Sequence, residues 1–293
     1  GVALMSVEGL PRCEALDDYL DIKVLVSRNV VSAVSRAFVE CFLEYLDRRR
    51  GHEILERYVS LFSREVTERL RWSYSCDRVK GLLEESRRRV TEVYSFAKEV
   101  FGSAFMLQGV LQSRFLVHTR SPTLPLDVGL AWDPILNLPY IPASTVKGVV
   151  RAYLANNRID DLNVGELLGE GGEEGHVSYV IFFDSYPVDC RGTLVEPDVI
   201  TPHYREVEGL IDETSVKPTP IVFPTIAPGT TIYFPVAINM KLIKKLPSGN
   251  KVKKLEDVNT INDLVDKIMR ALESGIGAKT SLGYGYVRMS RRS

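Results

Sequence analysis

The chain has 293 residues, of which 45% are hydrophobic and 26% charged, with 37 Lys and Arg against 38 Asp and Glu. These proportions are typical of a globular protein and exclude a disordered or fibrous one. No apolar run approaches the roughly 18 residues that a membrane-spanning helix needs, which excludes a transmembrane protein. Since no leader sequence is recognisable, the expected location is cytoplasmic.

The cysteines of the chain, Cys13, Cys41, Cys76 and Cys190, lie far apart and form no C-x-x-C pair. This spacing favours neither a zinc site nor a disulfide framework, so reduced thiols, no metal and no other cofactor are expected. The sequence contains only two glutamines and is rich in Arg, Glu and Lys, a bias that favours a thermophilic source.

The net charge of −1 conceals an uneven distribution of charge along the chain. Residues 1–105 are balanced, residues 106–240 carry 8 basic and 16 acidic side chains, and residues 241–293 carry 12 basic and 5 acidic ones. A polyanion is therefore expected to bind the C-terminal segment, although lysine-rich loops also serve simply to solvate a surface. The main basic residues of this segment are Lys241, Lys244, Lys245, Lys251, Lys253, Lys254, Lys279, Arg288, Arg291 and Arg292.

The first predicted elements are helices. From about Val31 to Ser103, apolar residues recur at helical spacing, and proline and glycine are almost absent. Three apolar stripes predict three helices that pack together, so residues 1–105 are predicted to form an α-helical N-terminal region. The stripes are Val34, Phe38, Phe42 and Tyr45; Ile54, Tyr58, Leu61 and Phe62; and Val90, Val93, Tyr94, Ala97 and Val100.

Beyond Gly102 the composition changes to β-branched and aromatic runs separated by proline and glycine, which predicts a second domain, residues 106–293, that contains a sheet. The predicted strands are 107–118, 177–183 and 284–289, with a hairpin of 221–223 and 231–238. The predicted helices are 144–155 and a segment from Thr260, with a capping box to Asp263, to Gly275. This order predicts an α+β, ferredoxin-like (RRM-like) domain with an insertion at about 156–220.

The strongest local motif is the glycine-rich run 275–285, here called the glycine loop. It is neither a Rossmann fingerprint nor a P-loop, because Thr280 and Ala278 stand where those motifs need glycine and because a helix precedes it. Its glycines let backbone N–H groups approach a ligand closely. The charge of Lys279 and the hydroxyl groups of Thr280 and Ser281 can bind the phosphates of RNA. A helix C-cap followed by a bulge is the alternative explanation for Gly275 and Gly283. The candidate RNA-binding residues are Gly275, Gly277, Lys279, Thr280, Ser281, Gly283 and Gly285.

A second motif runs from Leu138 to Arg151. Ser144 or Thr145 is predicted to cap a helix whose N-terminus attracts anions. Lys147 and Arg151 are four residues apart, so they are expected to project from the same side as a cationic ledge. Alone, such a pair is also typical of a solvated helix face.

Together, the helix motif I-P-x-S-[ST]-x-K-G-x-x-R and the C-terminal G-x-G-x-K-T-x-x-G-x-G resemble the RAMP superfamily of CRISPR RNA-binding proteins. The segments 129–134, 182–184, 202–204 and 220–223 are similar to the family of sixth subunits of Cmr (type III-B) effector complexes, and the resemblance covers about residues 105–290. It implies a non-catalytic subunit that caps the backbone of the complex near the crRNA 3′ end. The implied partners are crRNA, target RNA, and other RAMP and small helical Cmr subunits. Lys147, Arg151, Lys279 and the loop glycines would hold the RNA backbone without reading sequence.

Two other functions remain open. A metal-independent endoribonuclease would use a histidine as general acid or base, and His118 is the best candidate. His176 and His203 with Asp184 and Cys190 have no spacing typical of a metal site, and Asp184 is expected to cap a turn rather than to catalyse. A protein-interaction scaffold without RNA contact would use the basic C-terminal segment to dock an acidic neighbour.

Overall fold

The computed structural model describes residues 13–48, 54–120, 123–170, 175–201, 205–207, 210–212 and 220–292. Its α-helices are α1 (Glu14–Tyr19), α2 (Val30–Arg48), α3 (Ile54–Ser73), α4 (Cys76–Phe101), α5 (Ala143–Asn156), α6 (Val164–Leu168), α7 (Met240–Ile243) and α8 (Val258–Glu273). Its strands are β1 (Gly102–Leu111), β2 (Trp132–Asp133), β3 (Leu138–Pro139), β4 (Val180–Phe182), β5 (Tyr186–Asp189), β6 (Val195–Ile200), β7 (Arg205–Val207), β8 (Leu210–Asp212), β9 (Ile221–Ile226), β10 (Thr231–Asn239) and β11 (Val287–Arg292). The protein is thus a mixed helix and sheet structure, as the sequence predicts.

The N-terminal helices form because apolar residues recur on one side of each. Tyr58 and Phe62 of α3 are fully buried, and the ring of Phe38 packs on both with centroid distances of 5.2 Å. Helix α3 packs on β6 and β9, and α4 packs on β1, β5 and β10. The helices therefore share an apolar core with the sheets. Among the residues described above, no helix is both long and apolar enough to cross a membrane.

The main sheet is antiparallel, and its strands lie in the order β11–β1–β10–β4, with β5 also paired to β10. Successive residues of a strand point to opposite faces. On β1, Leu107 and Leu111 join the large core that includes α5 and α8, whereas Met106 packs with Val90 of α4. Helices α5 and α8 therefore lie on one face of this sheet, and α4 lies on the other.

The predicted hairpin of 221–223 and 231–238 is wrong. Strand β9 pairs with β6, whereas β10 pairs with β1, β4 and β5. The amides of the intervening turn bond to other segments, since Ala227 N–H donates to Leu194 O and Gly229 N–H donates to Leu111 O. The chain therefore leaves one sheet at this turn and enters another.

The predicted capping box at the start of α8 is also wrong. The N-cap is Asp257, whose carboxylate accepts a hydrogen bond from the Thr260 N–H at 2.8 Å. Hydrogen bonds from Thr260 lower the pKa of Asp257 below its ordinary value. The apolar stripe of the helix is confirmed, with Leu264 and Ile268 buried. The strands predicted at 107–118, 177–183 and 284–289 lie at 102–111, 180–182 and 287–292.

All four cysteines form disulfides, so the expectation of reduced thiols is wrong. Cys13 bonds to Cys41 and Cys76 bonds to Cys190, with Cα–Cα distances of 5.6 and 5.8 Å. The partners are 28 and 114 residues apart, so sequence spacing does not reveal them. The fold brings Cys76 and Cys190 together by placing the start of α4 beside the end of β5. Intracellular disulfides are rare except in proteins of hyperthermophiles.

Candidate nucleic-acid interface

The glycine loop is docked on the segment that follows β1. The Ala278 N–H donates to Leu116 O at 2.7 Å, and the Gly285 N–H donates to Arg114 O at 2.8 Å. Gly277 and Gly285 have φ angles of 87° and 73°. A Cβ on Gly277 would lie 2.3 Å from the Leu116 oxygen, and one on Gly285 would lie 1.9 Å from a backbone oxygen inside the loop. Packing of the loop itself therefore requires these two glycines.

The tip of the loop carries its polar side chains. Lys279 has a φ of 61°, in a region that few residues other than glycine adopt, and precedes a short 3-10 helix, Thr280–Leu282. Lys279 and Thr280 are partly exposed, and Ser281 is exposed. Within the described ranges, no carboxylate forms an ion pair with Lys279. The tip thus presents one uncompensated positive charge and two hydroxyl groups to solvent.

The base of the loop is tied to β6 by a polar cluster that the sequence did not reveal. Arg114 forms ion pairs with Glu196 at 3.3 Å and with Asp198 at 3.7 Å. The Tyr284 hydroxyl donates a 2.6 Å hydrogen bond to the Asp198 carboxylate. Burial, followed by this hydrogen bond, raises the pKa of Tyr284 to about 12. Arg114 belongs both to this cluster and to the segment on which the loop docks, so the same residue links the loop to β6.

The N-terminus of α5 is capped differently from the prediction. The N-cap is Pro142, not Ser144 or Thr145, and neither side chain caps the helix. The Asp184 carboxylate accepts a hydrogen bond from the Ala143 N–H at 2.7 Å. It thereby satisfies a free N–H group and places a negative charge where the helix dipole favours an anion. Asp184 is expected to cap a turn and instead caps this helix, so the site predicted for an external anion already contains a carboxylate.

The predicted ledge of Lys147 and Arg151 is divided between two environments. One guanidinium nitrogen of Arg151, Nη2, donates to the carbonyl oxygens of Leu168 and Gly169 at 3.2 and 2.6 Å, where α6 ends. Lys147 is partly exposed, and no carboxylate of the described residues pairs with it. Arg151 therefore holds α6 on α5, and Lys147 is the more available cation.

Part of the basic C-terminal segment is neutralised by neighbouring carboxylates. Lys254 contacts Asp161 at 2.5 Å, and this hydrogen bond is the main cause that lowers the pKa of Asp161. Lys253 pairs with Glu256 at 3.7 Å. The positive charge offered to a polyanion is therefore smaller here than the residue count indicates. Lys244, Lys245 and Arg288 are exposed.

The described members of the alternative catalytic and metal-binding residues do not form a site. His118 is exposed and lies two residues beyond Leu116, at the edge of the docked loop. Cys190 is bonded to Cys76, and His203, with the rest of segment 202–204, lies outside the described residues. In the part of the chain that the structure describes, no group of three or more His, Cys, Asp or Glu side chains could hold a metal ion.

The region that contains both motifs matches a known protein family. The model of the RAMP superfamily matches residues 117–288, more than half of the chain. The chain belongs to the RAMP superfamily. The matched RAMP region includes α5 and the glycine loop.

Relatives of this RAMP protein come from CRISPR systems. The chain is 29% identical over 251 residues to the CRISPR system CMR subunit Cmr6 of Saccharolobus solfataricus, covering 84% of this chain and 76% of the relative. A chain in the cryo-EM structure of Type III-B Cmr-beta bound to cognate target RNA matches with a TM-score of 0.65 and 25% identity, covering 95% of this chain and 97% of that one. The crystal structure of Cmr6 from Pyrococcus furiosus matches with a TM-score of 0.38 and 19% identity, over 64% of this chain and 98% of that one. The resemblance to RAMP proteins and to the sixth Cmr subunit is confirmed.

Proposed function

We propose that the chain is a non-catalytic, crRNA-binding subunit of a type III-B CRISPR (Cmr) ribonucleoprotein, which caps the backbone of the complex near the crRNA 3′ end. The observation that carries the proposal is the 29% identity to Cmr6 over 84% of the chain. The proposed partners are crRNA, target RNA, and neighbouring RAMP and small helical subunits. The strand order β11–β1–β10–β4, with α5 after β1 and α8 after β10, supports a ferredoxin-like RNA-binding domain from about residue 106, after the helical region.

The RNA contacts proposed for this subunit are to the phosphate backbone. Lys279 supplies a point charge at the loop tip, and Thr280 and Ser281 supply hydroxyl donors beside it. Lys147 supplies a second charge from α5. Arg151 donates to protein carbonyls through Nη2 alone, so Nη1 and Nε remain to bind a phosphate. Such contacts hold RNA of any sequence, which suits a subunit that positions a guide without reading it.

A catalytic role of His118 would require a neighbouring group that orients its ring. A general acid or base must be oriented toward the proton that it transfers. Among the described residues, no side chain or backbone group forms a hydrogen bond with the His118 ring. The endoribonuclease alternative therefore has no feature of the site in its favour.

The proposal is tested by incubating the full chain with end-labelled crRNA over a salt series and resolving it on native and denaturing gels. We expect a salt-sensitive shift with intact RNA, because phosphate contacts release counterions. Lys279→Glu should weaken binding about tenfold, whereas Lys80→Glu on α4, with the same charge change, should have little effect. Equal losses in both variants would contradict a site at the loop. Discrete cleavage that is lost in His118→Ala would favour the nuclease, and neither shift nor cleavage would favour the scaffold.

A further inference from the structure

In the part of the chain that the structure describes, one face of the main sheet is covered only in part. In the pairing of β1 with β11, Gln108 lies opposite Ser290 and Val110 lies opposite Arg288. The pairing continues beyond the strands, because the Gln112 N–H donates to Tyr286 O at 2.8 Å. Alternation along both strands places these side chains on a common face. This open sheet face consists of Gln108, Val110, Gln112, Tyr286, Arg288, Ser290 and Arg292.

The side chains of the intervening residues show which face this is. Arg291 forms an ion pair with Asp266 of α8 at 2.6 Å, and Val287 and Met289 are buried. The odd-numbered residues of β11 thus face α8. Since successive residues alternate, Arg288 and Ser290 point to the opposite face, and both are exposed.

Helix α4 covers the part of this face that β5, β10 and the start of β1 form. Its Val90 packs with Met106 of β1, Val188 of β5 and Tyr233 of β10 in a small buried cluster. The guanidinium of Arg292 lies over the Tyr233 ring, 4.4 Å from its centroid, and marks the border of the covered part. Beyond this border, Gln108 and Val110 are partly exposed, and the remaining side chains of the face are exposed.

The open sheet face has the chemistry of a nucleic-acid surface. Neither β1 nor β11 contains Asp or Glu, and no carboxylate of the described chain pairs with Arg288. Tyr286 is 42% exposed, although its backbone N–H is fixed by Ser113 Oγ at 3.0 Å. Arginines on an edge strand also discourage unwanted strand pairing, but an exposed aromatic ring beside them does not serve that purpose. Gln108 and Gln112, the only glutamines of the chain, add amide groups that can both donate and accept.

We infer that the open sheet face is a second binding surface for single-stranded RNA, on which Tyr286 stacks on a base and Arg288 contacts the backbone. Tyr286 directly follows Gly285, so an RNA strand held by the glycine loop can continue onto the face. Stacking on an aromatic ring tolerates any base, as backbone contacts do. The inference rests on the proposed function and adds base stacking to phosphate binding.

The test measures binding of a fluorescent single-stranded RNA to the full chain over a salt series. Tyr286→Ala should weaken binding about tenfold with an unchanged salt slope, and Tyr286→Phe should bind like the wild type. An RNA with abasic sites should bind Tyr286→Ala and wild type equally. Arg288→Ala should weaken binding severalfold and reduce the salt slope by about one. Arg291→Ala, with the same charge change on the opposite face, is the control and should stay within twofold of wild type.

A second measurement needs no substitution: RNA carrying 4-thiouridine should crosslink to peptides that contain Tyr286. If Lys279→Glu weakens binding while Tyr286→Ala and Arg288→Ala do not, this inference fails and the proposed function stands. If wild type binds no RNA at low salt and no crosslink forms, both fail. Equal losses of RNA affinity in Arg288→Ala and Arg291→Ala would show that RNA does not bind specifically to the open sheet face. Loss of binding to another Cmr subunit, with RNA affinity intact, would instead make the face a protein contact.

Discussion

The glycine loop and helix α5 have similar residue types, yet the fold uses them differently. In the glycine loop, Gly277 and Gly285 are needed for the close packing of the loop backbone. Lys279 has no carboxylate partner in the described ranges. In α5, Asp184 caps the N-terminus and Arg151 binds two protein carbonyls. The loop therefore presents its polar tip to solvent, whereas in α5 the Ala143 N–H and the Arg151 guanidinium already have partners inside the protein.

This difference shows that a motif of glycines, hydroxyls and cations does not by itself define a ligand site. Each N–H group and each charge can be satisfied internally, and only the groups left over can bind a ligand. On this basis, Lys279 and Lys147 should matter most for RNA, and Gly285 and Arg151 should matter most for stability. The predictions below test that division.

The largest expected effect is that of Gly285→Ala. Its Cβ would lie 1.9 Å from the backbone oxygen of Ile276, and alanine would also be strained at a φ of 73°. The free energy of unfolding should fall by about 3 kcal/mol. Gly283→Ala is the matched control, because no atom lies within 4 Å of its added Cβ, and it should cost only about 1 kcal/mol. Urea unfolding measures both, and equal losses would refute the docking argument.

The two cations of α5 should separate stability from binding. Arg151→Ala should lower the free energy of unfolding by about 1–2 kcal/mol, because its hydrogen bonds to Leu168 and Gly169 are lost. Lys147→Ala should leave stability within about 0.5 kcal/mol and weaken RNA binding severalfold. Chemical unfolding and a binding titration of each variant are sufficient. A stability loss in Lys147→Ala as large as that in Arg151→Ala would remove the distinction.

Removal of the cap on α5 should have opposite effects on stability and affinity. Asp184→Ala should lower the free energy of unfolding by about 1 kcal/mol, since the Ala143 N–H loses its acceptor. The same change removes a negative charge from the N-terminus of the helix that carries Lys147, so RNA should bind about twofold more tightly at low salt. Asp184→Asn retains an acceptor and should show the gain in affinity with a smaller loss of stability. Weaker RNA binding in both variants would argue against this role of Asp184.

The smallest effect concerns alkaline pH. Because the folded pKa of Tyr284, about 12, lies above the ordinary value of 10.0, its neutral form is favoured in the folded protein. The resulting stabilisation is fully present below pH 10 and is lost as the pH rises through 12. The difference in unfolding free energy between wild type and Tyr284→Phe should therefore shrink between pH 9 and pH 12. A constant difference would show that the folded protein does not raise the pKa of Tyr284.

Local patterns in the sequence predicted most helices well. The stripe of Leu264 and Ile268 in α8 and the buried Tyr58 and Phe62 of α3 follow from helical periodicity, which burial of one side imposes directly. The two RAMP motifs could also be recognised, because the residues of each motif are continuous in the chain. The wrong cap at Thr260 shows that the ends of helices are set by single side chains, here Asp257, that periodicity does not identify.

Contacts between distant residues were not predictable. The bond of Cys76 to Cys190 joins residues 114 positions apart, and β9 pairs with β6 rather than with its neighbour β10. The sequence around Tyr286 does not distinguish it from any other tyrosine that follows a glycine. Alternation in the predicted strand 284–289 places Tyr286 and Arg288 on one face, but only the register of β11 on β1 shows that Gln108 and Val110 lie beside them.

The sequence by itself determined the class of fold, the positions of the apolar helix faces and the RAMP motifs, because each depends on residues close together in the chain. The tertiary structure decided which polar groups of those motifs remain available. Asp184 reaches α5 from 41 residues away, and Leu116 receives the hydrogen bond of Ala278 from across the chain. Residues that are distant in the sequence thus pair with some donors and charges of the motifs. The polar groups that remain unpaired and exposed form the binding surface.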